Sequence, residues 1–207
     1  MKKIGVIDYG MGNLHSVVGA FNHIGCKPFI SSDIKTLQSA DALILPGVGA
    51  FPDAMKNLRE YGLIDFIKSE AKNKPFLGIC LGMQLLFDRS YEFTECDGLG
   101  LIGGEVVKLT AYADSKQYKI PHMGWNSLDI TKKTRLTTGL PDRAYVYFVH
   151  SFKGVTTNSG NLIASTEYGE TISAIVGTDN VFGMQFHPEK SEETGLKILT
   201  NFVSLIP

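Results

Sequence analysis

Cysteine, net charge and long apolar runs are all scarce in this sequence. Its 207 residues include 3 Cys, at positions 26, 80 and 96. An odd, small number of widely spaced thiols makes no disulfide framework, and no paired C-x₂-C meets a zinc template. A reducing, cytoplasmic setting is expected, with no metal and no cofactor. Lys plus Arg number 20 and Asp plus Glu 21, giving a net charge of −1. That balance argues against bulk electrostatic attraction to nucleic acid or to an anionic membrane. No run of about 18 apolar residues occurs, so no transmembrane helix is expected. The apolar stretch after Met1-Lys2-Lys3 ends at Asp8, too short for a signal peptide. Tryptophan occurs once, at Trp125.

What is present is ordinary core material: 43% of residues are hydrophobic and only 20% are charged, with 22 Gly and 8 Pro. That suits one folded α/β domain spanning 1–207. In the first half, short apolar strands at 3–7, 28–31, 42–45 and 76–79 alternate with helical patterns at 13–24, 53–58, 63–72 and 81–87. Alternation of this kind predicts a parallel sheet with helices on both faces. The second half reads as strands at 106–109, 127–130, 144–149, 162–166, 173–176 and 181–186, broken by Gly, Asn, Asp and Thr clusters. A helix at 192–205 closes the chain, with Leu196, Leu199, Phe202 and Val203 on one face. The expected layout is a parallel core extended by antiparallel strands.

Chemistry concentrates at Gly78-Ile79-Cys80-Leu81-Gly82, between a buried strand and a helix. This is the cysteine form of the G-x-S-x-G elbow, which lifts a nucleophile above the carboxyl end of a sheet on a tight turn. The helix start favours thiolate, and the Leu81 N–H would point at a developing oxyanion. A base is offered by Phe186-His187-Pro188-Glu189. Pro188 biases His187 toward an extended backbone, so Glu189 would lie on the same side as the imidazole and orient it. Cys80, His187 and Glu189 thus form a candidate catalytic triad. Pro46-Gly47-Val48-Gly49 ends a strand, and its glycines could turn an N–H toward the same site; an ordinary turn is the alternative. Gln84 lies four residues beyond Cys80 and could share its face. Gly10-Met11-Gly12-Asn13-Leu14-His15 opens like a dinucleotide fingerprint, but His15 stands where a small residue is needed. No such site is expected there.

With these motifs the chain resembles the class I (triad) glutamine amidotransferases. Within that family it is most similar to the glutaminase subunits of histidine biosynthesis. The similarity runs through Asp8-Tyr9-Gly10-Met11-Gly12-Asn13, Pro46-Gly47-Val48-Gly49-Ala50-Phe51, Pro121-His122-Met123-Gly124-Trp125-Asn126 and Tyr147-Phe148-Val149-His150-Ser151. Met83 follows the elbow where many relatives carry His. The resemblance implies a three-layer α/β fold with a mixed, mostly parallel central sheet and flanking helices. It also implies hydrolysis of L-glutamine to glutamate and ammonia. Leu81 and one of Gly47, Val48 and Gly49 would supply the oxyanion donors. Gln84, Glu92, Ser151 and Phe152 would bind glutamine. Asn13, Met123, Gly124, Trp125 and Asn126 would dock a (β/α)₈ cyclase partner in a heterodimer, and that partner receives the ammonia. Amidotransferases of anthranilate, aminodeoxychorismate or pyridoxal phosphate synthesis would lack the Gly-Trp-Asn segment. A purely regulatory relative would not need the intact triad, and a cysteine peptidase would lack Gln84 and the glycine loop.

Overall fold

Strand β1 (Lys3–Ile7) carries Ile4 and Val6 to one face and Ile7 to the other, and every one of them is buried. The same two-sided burial holds for β3 (Ala42–Gly47) and β4 (Phe76–Cys80), as expected of strands sandwiched between helices. In the computed structural model, which describes residues 1–110, 112–113 and 116–207, these strands lie at the centre of an eight-stranded sheet.

In chain order, α1 (Leu14–His23), β2 (Lys27–Ser31), α2 (Ile34–Gln38), α3 (Phe51–Glu60) and α4 (Leu63–Glu70) accompany those three strands. The short α5 (Leu81–Gln84) follows β4. Then come β5 (Arg89–Ser90), β6 (Cys96–Asp97), β7 (Gly104–Lys108), β8 (Tyr112–Ala113), β9 (Lys116–Gln117), β10 (His122–Ser127) and β11 (Asp129–Ile130). The chain ends with β12 (Tyr145–His150), β13 (Phe152–Thr156), β14 (Leu162–Glu167), β15 (Thr171–Thr178), β16 (Val181–Met184) and α6 (Glu192–Val203).

The central order is β11-β14-β15-β16-β4-β3-β1-β2. From β2 to β16 the pairs are parallel, and from β16 to β11 antiparallel. The expected mixed sheet is therefore present. Three further assemblies among the described residues depart from the expected layout, one of them the short β8-β9 pair. β13-β7-β5-β6 form a separate four-stranded sheet, and β10-β12 a two-stranded ribbon. Several second-half strands thus build a cover for the carboxyl end of the central sheet instead of extending it. The expected strand at 127–130 is divided between β10 and β11 at Leu128, which is buried in the core.

One apolar cluster packs Val17 and Phe21 of α1 and Ile198, Leu199 and Phe202 of α6 against Ile4, Val6, Ile44, Leu77 and Ile79. The other packs Met55, Leu58, Phe66 and Ile67 of α3 and α4 against Ile7, Leu43, Leu45 and Phe76. Asn13 caps α1 through its side chain, accepting from the Ser16 N–H at 3.4 Å.

Helix α5 is much shorter than the 81–87 helix expected. After Gln84 the bonds tighten to three-residue steps, with the Leu86 N–H on the Met83 carbonyl at 3.0 Å and the Phe87 N–H on the Gln84 carbonyl at 3.1 Å. The carbonyls of Leu85, Leu86 and Phe87 are then taken by the N–H groups of 99–102 at 2.8–3.1 Å, so no further turn can follow.

Candidate active site

The parallel pairing of β4 with β16 brings residues far apart in sequence to the same sheet end, since Met184 is aligned with Ile79. Cys80 leaves β4 at φ 54° and ψ −112°, a left-handed backbone that a side chain adopts only under constraint. The constraint is close packing: a Cβ on Gly78 would collide with the Gly82 carbonyl, and one on Gly82 with the Leu45 carbonyl. Both elbow glycines are therefore required by backbone-to-backbone contact.

His187 takes the expected extended backbone, φ −97° and ψ 96°. Its Nδ1 lies 2.7 Å from Glu189 Oε1, with both side chains buried. The route differs from the one expected. Pro188–Lys190 form a 3₁₀ turn, and this turn, not strand alternation, sets the carboxylate beside the ring. His187 Nε2 is buried, has no hydrogen-bond partner of its own among the described residues and sits beside Cys80. Burial opposes the imidazolium, but the Cys80 thiol and Glu189 outweigh it and push the His187 pKa up to about 10.

Cys80 and His187 line a cavity of about 350 Å³ together with Val48, Gly49, Leu81 and Gln84. Its opposite wall is Glu92, Pro121, Val149, His150, Ser151 and Phe152. Most of the residues singled out in the sequence for catalysis or substrate binding are thus brought together. Gly47 and Glu189 do not line the cavity: Gly47 lies in the β3–β4 ladder opposite Cys80, and Glu189 reaches the site only through the His187 ring. Gly49 is the loop glycine in a left-handed conformation, at φ +100°. Its open side faces Met11, so the 10–13 loop serves as a backstop for the 47–49 loop.

Gln84 donates both amide hydrogens, to the Phe152 carbonyl at 2.9 Å and to Gln185 Oε1 at 3.0 Å. Its Oε1 is the atom left to accept from a ligand. Glu92 Oε2 accepts the Phe51 N–H at 2.8 Å, at the start of α3, and burial raises its pKa. Met123 and Trp125 are 61% and 47% exposed, with Trp125 edge-on to Tyr147. Asn126, expected on the same docking face, commits its amide to the Glu167 carbonyl at 3.0 Å.

Two residues escaped the sequence reading. Tyr9 is fully buried, and its hydroxyl donates to the Pro46 carbonyl at 2.8 Å, directly before the glycine loop. Burial, reinforced by Cys80, raises its pKa strongly. Gln185 is wholly buried between Gln84 and Cys80, with Nε2 3.9 Å from Sγ. Its place two residues before His187, in the strand expected at 181–186, is a usable signal even though β16 stops at Met184; Tyr9 offers none, because its partner is distant in sequence.

The glutamine amidotransferase class-I family model matches residues 5–205. The chain is 52% identical to the imidazole glycerol phosphate synthase subunit HisH of Lactococcus lactis, over all of both chains. It is 50% identical to the protein of the same name from Geobacillus thermodenitrificans, covering all of this chain and 97% of that one. Among solved structures, PurLQS from Thermotoga maritima superposes with a TM-score of 0.75 at 22% identity, over all of both chains. A glutamine amidotransferase from Thermotoga maritima gives a TM-score of 0.69 at 17% identity, over 99% of this chain and 97% of that one. These two likenesses establish the fold.

Proposed function

This chain belongs to the glutamine amidotransferase class-I family, and from that premise we propose that it is the glutaminase subunit of an imidazole glycerol phosphate synthase. The observation that carries the catalytic part is the buried Cys80–His187–Glu189 alignment opening on a cavity of amino-acid size.

In this reading the Cys80 thiolate attacks the carboxamide carbon of glutamine. The carbonyl π electrons move to oxygen, where the Leu81 N–H and one from Val48 or Gly49 would hold the oxyanion. Collapse breaks the C–N bond, and the His187 imidazolium gives its Nε2 proton to the leaving ammonia. The neutral ring then takes a proton from water, whose oxygen attacks the thioester carbon. Glutamate leaves and the thiolate–imidazolium pair is restored. Gln84 Oε1 and Glu92 suit the α-ammonium group of the substrate, and the backbone at Ser151 and Phe152 its carboxylate.

Ammonia released into bulk water would become ammonium, which is no nucleophile. A partner that receives it directly solves this. The exposed Met123 and Trp125, with Gly124 between them, are the docking surface we assign to a (β/α)₈ cyclase partner. A cytoplasmic setting suits the unpaired Cys26, Cys80 and Cys96.

The test is co-purification with the cyclase and assay of imidazole glycerol phosphate formation. The reading expects that glutamine-dependent synthesis needs this chain, while ammonium salts at alkaline pH bypass it. Equal synthesis from glutamine without the chain would overturn it.

A further inference from the structure

Behind the cavity wall runs a file of polar side chains that the glutaminase chemistry does not use. It starts at Asn126. Its Oδ1 accepts the Ser127 N–H at 2.8 Å, and its Nδ2 donates to the Glu167 carbonyl at 3.0 Å. Those bonds fix which way the amide points. The remaining Nδ2 hydrogen faces His122 Nε2 at 3.4 Å, so that nitrogen must accept. His122 therefore carries its proton on Nδ1, which lies 2.9 Å from His150 Nε2. His150 must accept there and carry its own proton on Nδ1, which donates to the Phe152 carbonyl at 2.9 Å. Main-chain carbonyls terminate the file at both ends, so it cannot reverse direction without losing a bond.

Packing holds the rings in this plane. His122 is stacked between Tyr168 and Phe148, with centroids at 4.0 and 4.7 Å. His122 and His150 are directly opposite each other on β10 and β12. Burial favours the neutral form of both, moving His122 down to about 4 and His150 to about 3. At the far end, the Phe152 carbonyl also accepts from Gln84 Nε2, so its two lone pairs are both engaged.

We propose that Asn126, His122 and His150 are positioning residues: a strut of fixed tautomers that sets the Phe152 carbonyl, and through it Gln84 and the 151–152 backbone, for glutamine binding. The proposal rests on reading the cavity as the glutamine site. It assigns the two buried histidines a role in substrate affinity and none in proton transfer.

The experiment compares steady-state glutaminase kinetics of the complex with the cyclase for wild type, His122→Phe and His122→Asn. Phenylalanine keeps the stacking but cannot donate to His150. Asparagine can place an N–H near the position of Nδ1. The expected result for His122→Phe is a KM for glutamine raised about tenfold, the size of one lost buried hydrogen bond, with kcat changed far less. His122→Asn should recover most of that loss. The rate of Cys80 alkylation by iodoacetamide, which needs no glutamine pocket, should be unchanged in both. A His122→Phe KM within twofold of wild type overturns the strut. So does a His122→Asn variant as impaired as His122→Phe, which would mean the ring only fills space. Should His122→Phe fail to fold, Asn126→Leu interrupts the file at its other end with the same expectations. Absence of glutamine turnover in the wild-type complex would instead overturn the glutaminase reading itself.

Discussion

Cys80 holds a left-handed backbone conformation that costs about 1–3 kcal/mol for a residue with a side chain. The strain persists because Gly78 and Gly82 let three backbone segments close around it. Removing the sulfur should therefore abolish turnover and leave the fold intact. Cys80→Ala is expected to lose at least about 10³-fold in glutaminase rate with an unchanged unfolding midpoint. Tyr9→Phe would leave the buried Pro46 carbonyl without its donor, at about 1–3 kcal/mol, read as a lowered midpoint in denaturant. The two neutral histidines predict a pH dependence. Their folded pKa values, about 4 and about 3, lie below the ordinary 6.5. The unfolded chain thus binds protons first as pH falls, so their stabilisation is complete above about 6.5 and is lost progressively toward about 4 for His122 and about 3 for His150. Denaturant midpoints measured at pH 7 and pH 4.5 should show this fall, and His122→Phe should flatten it. At this scale the sequence was most legible where partners are neighbours along the chain: Cys80 within its glycines, and His187 with Glu189. Tyr9 and the Asn126–His122–His150 file were not legible, because folding alone brings their partners together.

Elements were legible where burial is two-sided. β1 matched its expected bounds, and β3 and β4 ran slightly past theirs because Gly47 and Cys80 continue the ladder. Local pattern failed where tertiary hydrogen bonds compete. The residues after Gln84 look helical, yet their carbonyls are captured by 98–102. β10 passed unnoticed because Gly124 and Asn126 are poor strand formers, and its pairing with β12 supplies the stability instead. β13 was missed as well, and it pairs with β7 outside the central sheet. The elbow makes the sharpest prediction at this scale. Gly82→Ala puts a methyl group into the Leu45 carbonyl, forcing β3 and α5 apart. Loss of soluble protein, or destabilisation above about 3 kcal/mol by thermal unfolding, is expected.

Across the whole molecule, the sheet order does the work that no local motif could. Placing β16 beside β4 brings His187 to Cys80, and the second-half strands roof the cavity with Val149 to Phe152. The expectation of one mixed sheet captured the first function of those strands and missed the second, because which sheet a strand joins is decided by long-range pairing. Beyond this roof lie the exposed Met123 and Trp125. Trp125→Ala should weaken association with the proposed cyclase partner at least about tenfold, measured by titration calorimetry, while leaving the isolated chain folded. The central claim is that Cys80 is the nucleophile of a glutaminase. It is tested most directly by treating the complex with an electrophilic glutamine analogue and mapping the adduct by peptide mass spectrometry. The account predicts a single adduct, on Cys80, blocked by excess glutamine. An adduct on Cys26 or Cys96 that glutamine does not compete away, with Cys80 unmodified, would contradict it.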